Sequence, residues 1–423
     1  MGISLVLMVL FYYPPDFRQL HGNERTRMEE IKRIDWVGMF LLVAGLVLFL
    51  LGISLGMYLP EARTILTKTG PGGAPLPWSS PRILGLVISG GITLILSSFW
   101  EVYSHTPNPL IPMHLFRDLR GFTVLFIISA VSGTVYLASA ILWPSQVAAI
   151  YASSITSWQS KAWASTTIAF GIWGGIVVLG PLVSVFKNVR IQVIAMMAVS
   201  VSFLGALSSC NPSNFNQSAA FSFLATFPAG ILEVMTGLLV QMDSNDADLG
   251  TCFSIIFLGR TGVGAVFTAV FVAILQNEIP KKLQEYVVPA ALDAGLPNSS
   301  LTALFTALTA GTTSALEAVP GINSDILMSV SAATAEAYAA AYSYVYYAGV
   351  AVGLVGLIAC CCIKDYDPYF TNHIPRQIYN GGKGDAGAVV YDKSRQDSSG
   401  TEKAEATQKE DSKRSTAEEH QSS

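Results

Sequence analysis

Charge is the scarcest commodity in this 423-residue sequence. Only 13% of its residues are Asp, Glu, Lys or Arg, about half the share in an ordinary soluble domain. The deficit is deeper in the body of the chain. Residues 364–423 carry 20 of the 54 charges, which leaves 34 for the first 363 residues. So little charge cannot cover a water-soluble globule, and a soluble enzyme of ordinary composition is excluded. Cysteine is also sparse. The five present have no zinc spacing and no paired framework, and Cys360, Cys361 and Cys362 are adjacent, which suits neither a metal site nor bridges between neighbours. The five histidines (His21, His105, His114, His373 and His420) fall outside every long apolar run. No glycine-rich phosphate loop follows a strand, and no Ser/His/Asp set stands out. No catalytic constellation and no cofactor is therefore expected. A basic patch with interleaved aromatics is missing, which argues against a nucleic-acid partner.

What the sequence does have is long hydrophobic runs, 51% of all residues being apolar. A helix needs about 20 such residues to cross the hydrocarbon of a bilayer. Eight stretches qualify: 36–56, 83–103, 122–145, 163–185, 191–209, 219–240, 252–275 and 343–363. The expected class is an all-α, multi-spanning membrane protein in contact with the lipid bilayer. A ninth run, residues 1–13, is too short and stops at Pro14-Pro15. It reads as the remnant of a spanning helix rather than a secretory signal, because no basic segment precedes it and no small-residue cleavage site follows.

Lys and Arg orient the spans. With residues 14–35 as a cytosolic loop and alternation from there, 18 basic residues lie inside, 6 outside, and Arg260 within a span. This places the C-terminus in the cytosol. Residues 276–342 become a long outside loop whose Ala/Ser/Thr-rich stretches, 301–316 and 324–341, are expected as amphipathic helices on the outer face. Residues 364–423 form a charged tail with too little apolar content to offset its ordering entropy, and are expected to be disordered.

Ionisable groups inside a membrane are costly, so each is a candidate site. Glu233 and Arg260 lie on consecutive spans, each about eight residues, or about 12 Å, from the cytosolic end. Equal depth permits an ion pair. It would either line a substrate or proton path or clamp two helices. Tyr136, Trp143 and Gln146 occupy the outer half of span 122–145, which Pro144 is expected to break. They suit a cavity wall, or an interfacial belt, the reading preferred for Trp143. Trp173, between small residues, lines a cavity or packs. Asp35 and Glu101 sit at span ends and are expected to be solvated or interfacial. Cys360, Cys361 and Cys362 end the last span. They are candidates for S-palmitoylation, or simply small apolar residues that finish a helix. Asn298-Ser299-Ser300 is a glycosylation acceptor in the outside loop, and Asn216-Gln217-Ser218 a weaker one near the membrane. No metal site is expected.

Several strings carry a family resemblance. Phe11-Tyr12-Tyr13-Pro14-Pro15 is followed by Asp35-Trp36-Val37-Gly38. Glu101 precedes Pro109-Leu110-Ile111-Pro112 and Leu115-Phe116. Asp246-Ala247-Asp248-Leu249-Gly250-Thr251 leads into Arg260. Val288-Pro289-Ala290-Ala291, Ala294-Gly295-Leu296-Pro297 and Val319-Pro320-Gly321-Ile322 mark the outside loop. Over residues 1–380 the chain resembles the fungal trichothecene efflux pump family, a fourteen-helix branch of the major facilitator superfamily close to siderophore–iron transporters. The resemblance implies a start within the sixth helix of that pattern, two central linker spans at 36–103 and a C-terminal six-helix half at 122–363. Gly180 to Arg190 resembles a degenerate copy of the superfamily's signature loop. The implied activity is proton-coupled efflux of hydrophobic small molecules such as mycotoxins or drugs, at the plasma membrane. Siderophore–iron uptake, and a truncated or regulatory protein that does not transport, stay open as alternatives.

Overall fold

The computed structural model describes residues 27–55, 80–104, 109–151, 155, 157–180, 188–244, 249–310, 316 and 318–367. The expected helix remnant at 1–13, most of loop 14–35, most of the degenerate signature loop and nearly all of the tail lie outside them. The described residues are overwhelmingly helical. Among the described residues, seven helices are long and apolar enough to cross a membrane. The protein is an all-α integral membrane protein of the multi-pass type.

A short helix α1 (Arg27–Arg33) comes first. The next two, α2 (Trp36–Leu55) and α3 (Pro81–Tyr103), form an antiparallel hairpin. Glycines set its closeness. A Cβ on Gly52 would lie 2.6 Å from the Val87 side chain, and one on Gly90 would strike the Phe49 backbone. Small residues let helices approach where lipid supplies no hydrophobic drive for association. Ser80 caps α3 by accepting from the Ile83 amide at 3.4 Å, with Pro81 in the first turn where no amide is needed.

The six-helix bundle follows. It comprises α4 (Val124–Ile150), the paired short helices α5 (Trp158–Ser165) and α6 (Thr167–Gly174), α7 (Val189–Ala206), α8 (Phe215–Asp243), α9 (Leu249–Asp293) and α11 (Ser324–Cys362). Two buried layers fill it. One is built around Leu125, Ile128, Met197, Leu232, Met235 and Ile256, the other around Leu142, Trp143, Ile150, Ala225, Phe271 and Val345.

Three expectations are corrected. The span expected at 163–185 is not one helix. The run 158–180 turns at Thr166 and passes through a π-helical turn, Gly175–Leu179. The kink at Thr166 is held locally, its hydroxyl donating to the Trp163 carbonyl and that of Thr167 to the Ala164 carbonyl, both at 2.8 Å. Pro144 does not break its span, for α4 continues to Ile150. Proline is tolerated there because neighbouring helices support the segment that has lost an amide.

The segment 276–342 is not mainly a loop. At 45 residues α9 is about 68 Å long, over twice the roughly 30 Å of hydrocarbon, and α11 begins at Ser324. Good helix formers and two i,i+3 ion pairs, Lys281–Glu278 and Lys282–Glu285 at 2.7 Å, carry α9 past Pro280 and Pro289. Gly295, at φ +94°, ends it. Its amide bonds the Leu292 carbonyl and that of Leu296 the Ala291 carbonyl, the paired bonds of a Schellman cap. Beyond it α10 (Leu301–Ala310) packs with the ends of α9 and α11 around Val287, Leu296, Leu304, Val319 and Val330. A folded cap with its own small core replaces helices lying flat. Asn298 is exposed on it, while Ser300 is buried.

Candidate functional site

The site grows from one contact. Arg260 on α9 is 4% exposed and gives one guanidinium nitrogen to Glu233 of α8 at 2.7 Å. Its other terminal nitrogen donates to the Ser132 hydroxyl of α4 at 3.0 Å. The Tyr136 ring, one turn along α4, lies 5.7 Å from the guanidinium carbon, within cation–π range. Three helices thus meet on one side chain. They can because Gly133 leaves room, a Cβ there lying 2.5 Å from both Arg260 Cγ and the Arg260 carbonyl oxygen.

Depth gives the pair its meaning. Glu233 lies ten residues before the end of α8 and Arg260 eleven after the start of α9, about 15 Å in from those helix ends. Both helices run a few residues past their apolar stretches, so the pair sits at matching distances from the adjoining helix ends and inside both apolar runs. A lone charge at that depth costs several kcal/mol, and pairing relieves it. The two partners are not equally covered. The Glu233 side chain keeps 25% of its surface open against 5% for Arg260. The carboxylate is the less covered member of the pair.

The other expected site residues divide. Tyr136 joins the pair. Trp143 does not sit in an interfacial belt. It is 1% exposed, and its indole nitrogen donates to the Ala164 carbonyl at 2.8 Å, tying α4 to α5. The Ala164 carbonyl at the turn accepts from both the Trp143 indole and the Thr167 hydroxyl, one donor for each of its lone pairs. Gln146, fully buried, accepts from the Tyr346 hydroxyl of α11, and its amide nitrogen has no partner among the described residues. Nearby, the Tyr151 hydroxyl donates to Ser218 at 2.6 Å. These form a second polar group well along α4 from Arg260. A cavity of about 20 Å³ lies between the layers, lined by Thr134, Ala138, Leu142, Phe271 and Tyr346, enough for about one water. Trp173 stays 63% exposed, away from all of these.

Asp35 and Glu101, expected to be solvated or interfacial at span ends, are instead buried within the protein. Asp35 accepts from the Gly38 amide at 2.8 Å and from the Trp100 indole at 3.0 Å. Glu101 accepts from the Ile111 amide at 3.2 Å. The two acids close the hairpin and hold the chain that leads to α4. Sequence reasoning missed this role, although a Trp beside one acid and a Gly three residues after the other were available signals.

At the same end of the bundle Lys364 bridges Asp118, at 3.3 Å, and Asp243. Burial alone would lower the Lys364 ammonium, but the two carboxylates outweigh it and hold it above its ordinary value. Burial likewise opposes ionisation of Asp118, yet the Gly121 amide and Lys364 bring its carboxyl below the usual value. Asp367 accepts from the Asn188 and Val189 amides at 2.9 and 3.0 Å, capping α7.

Comparison with known proteins places this geometry. The model of the family described as fungal trichothecene efflux pump matches residues 1–410. The chain is 40% identical over 398 residues to a trichothecene efflux pump of Trichoderma arundinaceum, covering 93% of this chain and 64% of that protein. It is 37% identical over 378 residues to the Fusarium sporotrichioides pump, covering 89% and 61%. A siderophore iron transporter of Emericella nidulans is 24% identical over 268 residues, 60% of this chain and 39% of that protein. The chain therefore spans somewhat under two thirds of the length of the efflux pumps it matches. By the extent of the family match and the level of identity, it belongs to the fungal trichothecene efflux pump family.

Proposed function

We propose that the protein serves proton-coupled efflux of hydrophobic small molecules across the plasma membrane, and that Glu233 carries the proton. The observation that carries this reading is the asymmetric ion pair within the apolar spans. Arg260 is locked by Ser132, Tyr136 and Glu233, while Glu233 remains a quarter open. Protonation of Glu233 removes the charge that balances Arg260. The guanidinium then either takes an oxygen of the substrate as a new partner or shifts α9 against α4 and α8. Both outcomes link proton occupancy to helix arrangement, which alternating access requires. Loss of the proton restores the pair and expels the substrate oxygen.

The excess of basic residues at the end that carries Lys364 supports a cytosolic C-terminus. The capped end with Asn298 then faces outward. The relatives named as trichothecene efflux pumps favour export of a hydrophobic small molecule over uptake of an iron chelate. Catalysis has no part in this reading.

The test is export from cells that produce the protein, with Glu233→Gln as the variant. The expected result is at least a tenfold loss of export of a hydrophobic mycotoxin with surface level within twofold of wild type. Normal export by the variant overturns the coupling role. Loss of the folded protein assigns the pair to holding the helices together.

A further inference from the structure

The three adjacent cysteines at the end of α11 are not equivalent. Cys360 is fully buried in the core layer that also holds Val193, Leu239 and Ile363. Cys361 and Cys362 are exposed. The other two cysteines of the chain, Cys210 and Cys252, are buried, so these two thiols are the whole accessible inventory.

Their position on the helix is what gives them a use. Tyr347, Leu354, Val355 and Ile358 are exposed on α11, at 59%, 47%, 55% and 66%. With Cys361 and Cys362 they follow spacings of three, four and seven residues, which is one face of a helix. That face is apolar along its length and ends in two sulfurs. Side chains on a helix lean toward its N-terminus, so both thiols lean back along this stripe. Past them the chain turns polar at once, with Lys364 and Asp365. Two arginines mark the same boundary. Arg190 donates to the Cys361 carbonyl at 2.6 Å and Arg120 to the Cys362 carbonyl at 3.4 Å, so guanidinium groups surround the last turn.

We propose that Cys361 and Cys362 are S-acylated by long-chain fatty acyl groups, and that Cys360 is not. The step is thioester exchange. The cysteine thiolate attacks the carbonyl carbon of a fatty acyl-coenzyme A, the bond from that carbon to the coenzyme's sulfur breaks, and the coenzyme leaves as the free thiol with the proton. Nothing is oxidised or reduced. The acyl chains lie back along the Ile358 and Leu354 stripe, within the hydrocarbon. Each buried methylene adds to membrane affinity, so two chains fix this helix end firmly at the interface. The arginines then face the phosphate layer beside them.

The inference rests on the cytosolic placement of this helix end, because fatty acyl-coenzyme A is a cytosolic reagent, and the experiment separates the two. A tag at the C-terminus is probed by protease from either side of sealed membranes from fungal cells. In the same membranes free thiols are blocked, thioesters are cleaved with hydroxylamine, and the released thiols are counted by polyethylene-glycol maleimide. With the tag on the cytosolic side, the expected count is two in the wild type and in Cys360→Ser. It is one in Cys361→Ser and in Cys362→Ser, and none when both are replaced. No hydroxylamine-dependent label with a cytosolic tag overturns the acylation alone. A label that Cys360→Ser removes overturns the assignment of residues. A tag reached only from outside overturns the orientation and the acylation with it.

Discussion

The hairpin α2–α3 and the six-helix bundle are made of similarly apolar helices and bury them very differently. Among the long bundle helices the buried share runs from 33% for α7 and 39% for α9 and α11 to 61% for α4 and 67% for α8, against 22% for α2 and 17% for α3. Hydropathy alone does not separate the two regions. The bundle helices carry serine, threonine, tyrosine and one ion pair on faces turned toward each other. The hairpin keeps its buried acids at one end, where Asp35 and Glu101 meet the chain that enters the bundle. A carboxylate at the end of a hairpin holds a junction. The Glu233 carboxylate, paired across two helices and partly open, is the one proposed to carry the proton.

The sharpest way to break that contrast is steric. Gly133→Leu places a branched side chain against the Arg260 backbone, which cannot yield as a flexible side-chain end can. A cost of about 1–3 kcal/mol or more and loss of transport are expected, measured as the drop in melting temperature of the purified protein. Gly90→Leu makes a comparable clash inside the hairpin, against Phe49. It should lower the yield of protein far less, because the hairpin shares little buried surface with the bundle. Equal losses would show that the two regions fold as one unit.

The next effect is functional. Glu233→Gln should cut transport tenfold or more and cost about 1–3 kcal/mol of stability, since the glutamine oxygen can still accept from Arg260. Asp35→Asn should leave the pH dependence of transport unchanged, as its carboxylate serves local amide and indole donors. A shift of that pH profile by Asp35→Asn and not by Glu233→Gln would exchange the roles assigned to the two acids.

Smaller effects refine the picture. Trp143→Phe removes one donor to the Ala164 carbonyl while Thr167 remains bonded to it. About 1 kcal/mol of stability should go, with transport per folded molecule unchanged, as a thermal melt and an export assay on the same preparation would show. Smallest is Lys364→Met, worth up to about 1 kcal/mol because the ammonium is partly solvated. Its contribution has a defined window. Lys364 is raised, so its share is complete below the ordinary lysine value of 10.5 and fades as pH climbs through the higher folded value. Asp118 is lowered, so its share is complete above 3.8 and is lost as pH falls through a lower value. Melting temperatures of wild type and Lys364→Met should differ by a constant amount between about pH 5 and pH 9.

Much of this was legible in the sequence. Length and apolarity locate the helices, and equal depth on consecutive spans brings Glu233 to Arg260 without any view of the fold. What stayed hidden depends on how closely helices approach. Trp143 looks like an interfacial residue until the kink at Thr166 presents a carbonyl to it. Asp35 and Glu101 look solvated because the sequence does not show that the two ends of a hairpin cover each other. Residues 276–342 read as a loop, yet the helix runs through Pro280 and Pro289 to Asp293 and its last turns pack into a capped cluster. Ser132 carries no signal of its own. Only its position one residue from a glycine at a crowded crossing gives it a role.

The central claim is that Glu233 binds the coupled proton, and proton movement is its most direct test. The protein is reconstituted in sealed vesicles with a pH-sensitive dye inside, and a gradient of hydrophobic substrate is imposed. The account predicts a substrate-driven proton flux in the wild type that disappears in Glu233→Gln, in vesicles shown to hold equal amounts of folded protein. A proton flux of wild-type size in Glu233→Gln would contradict it.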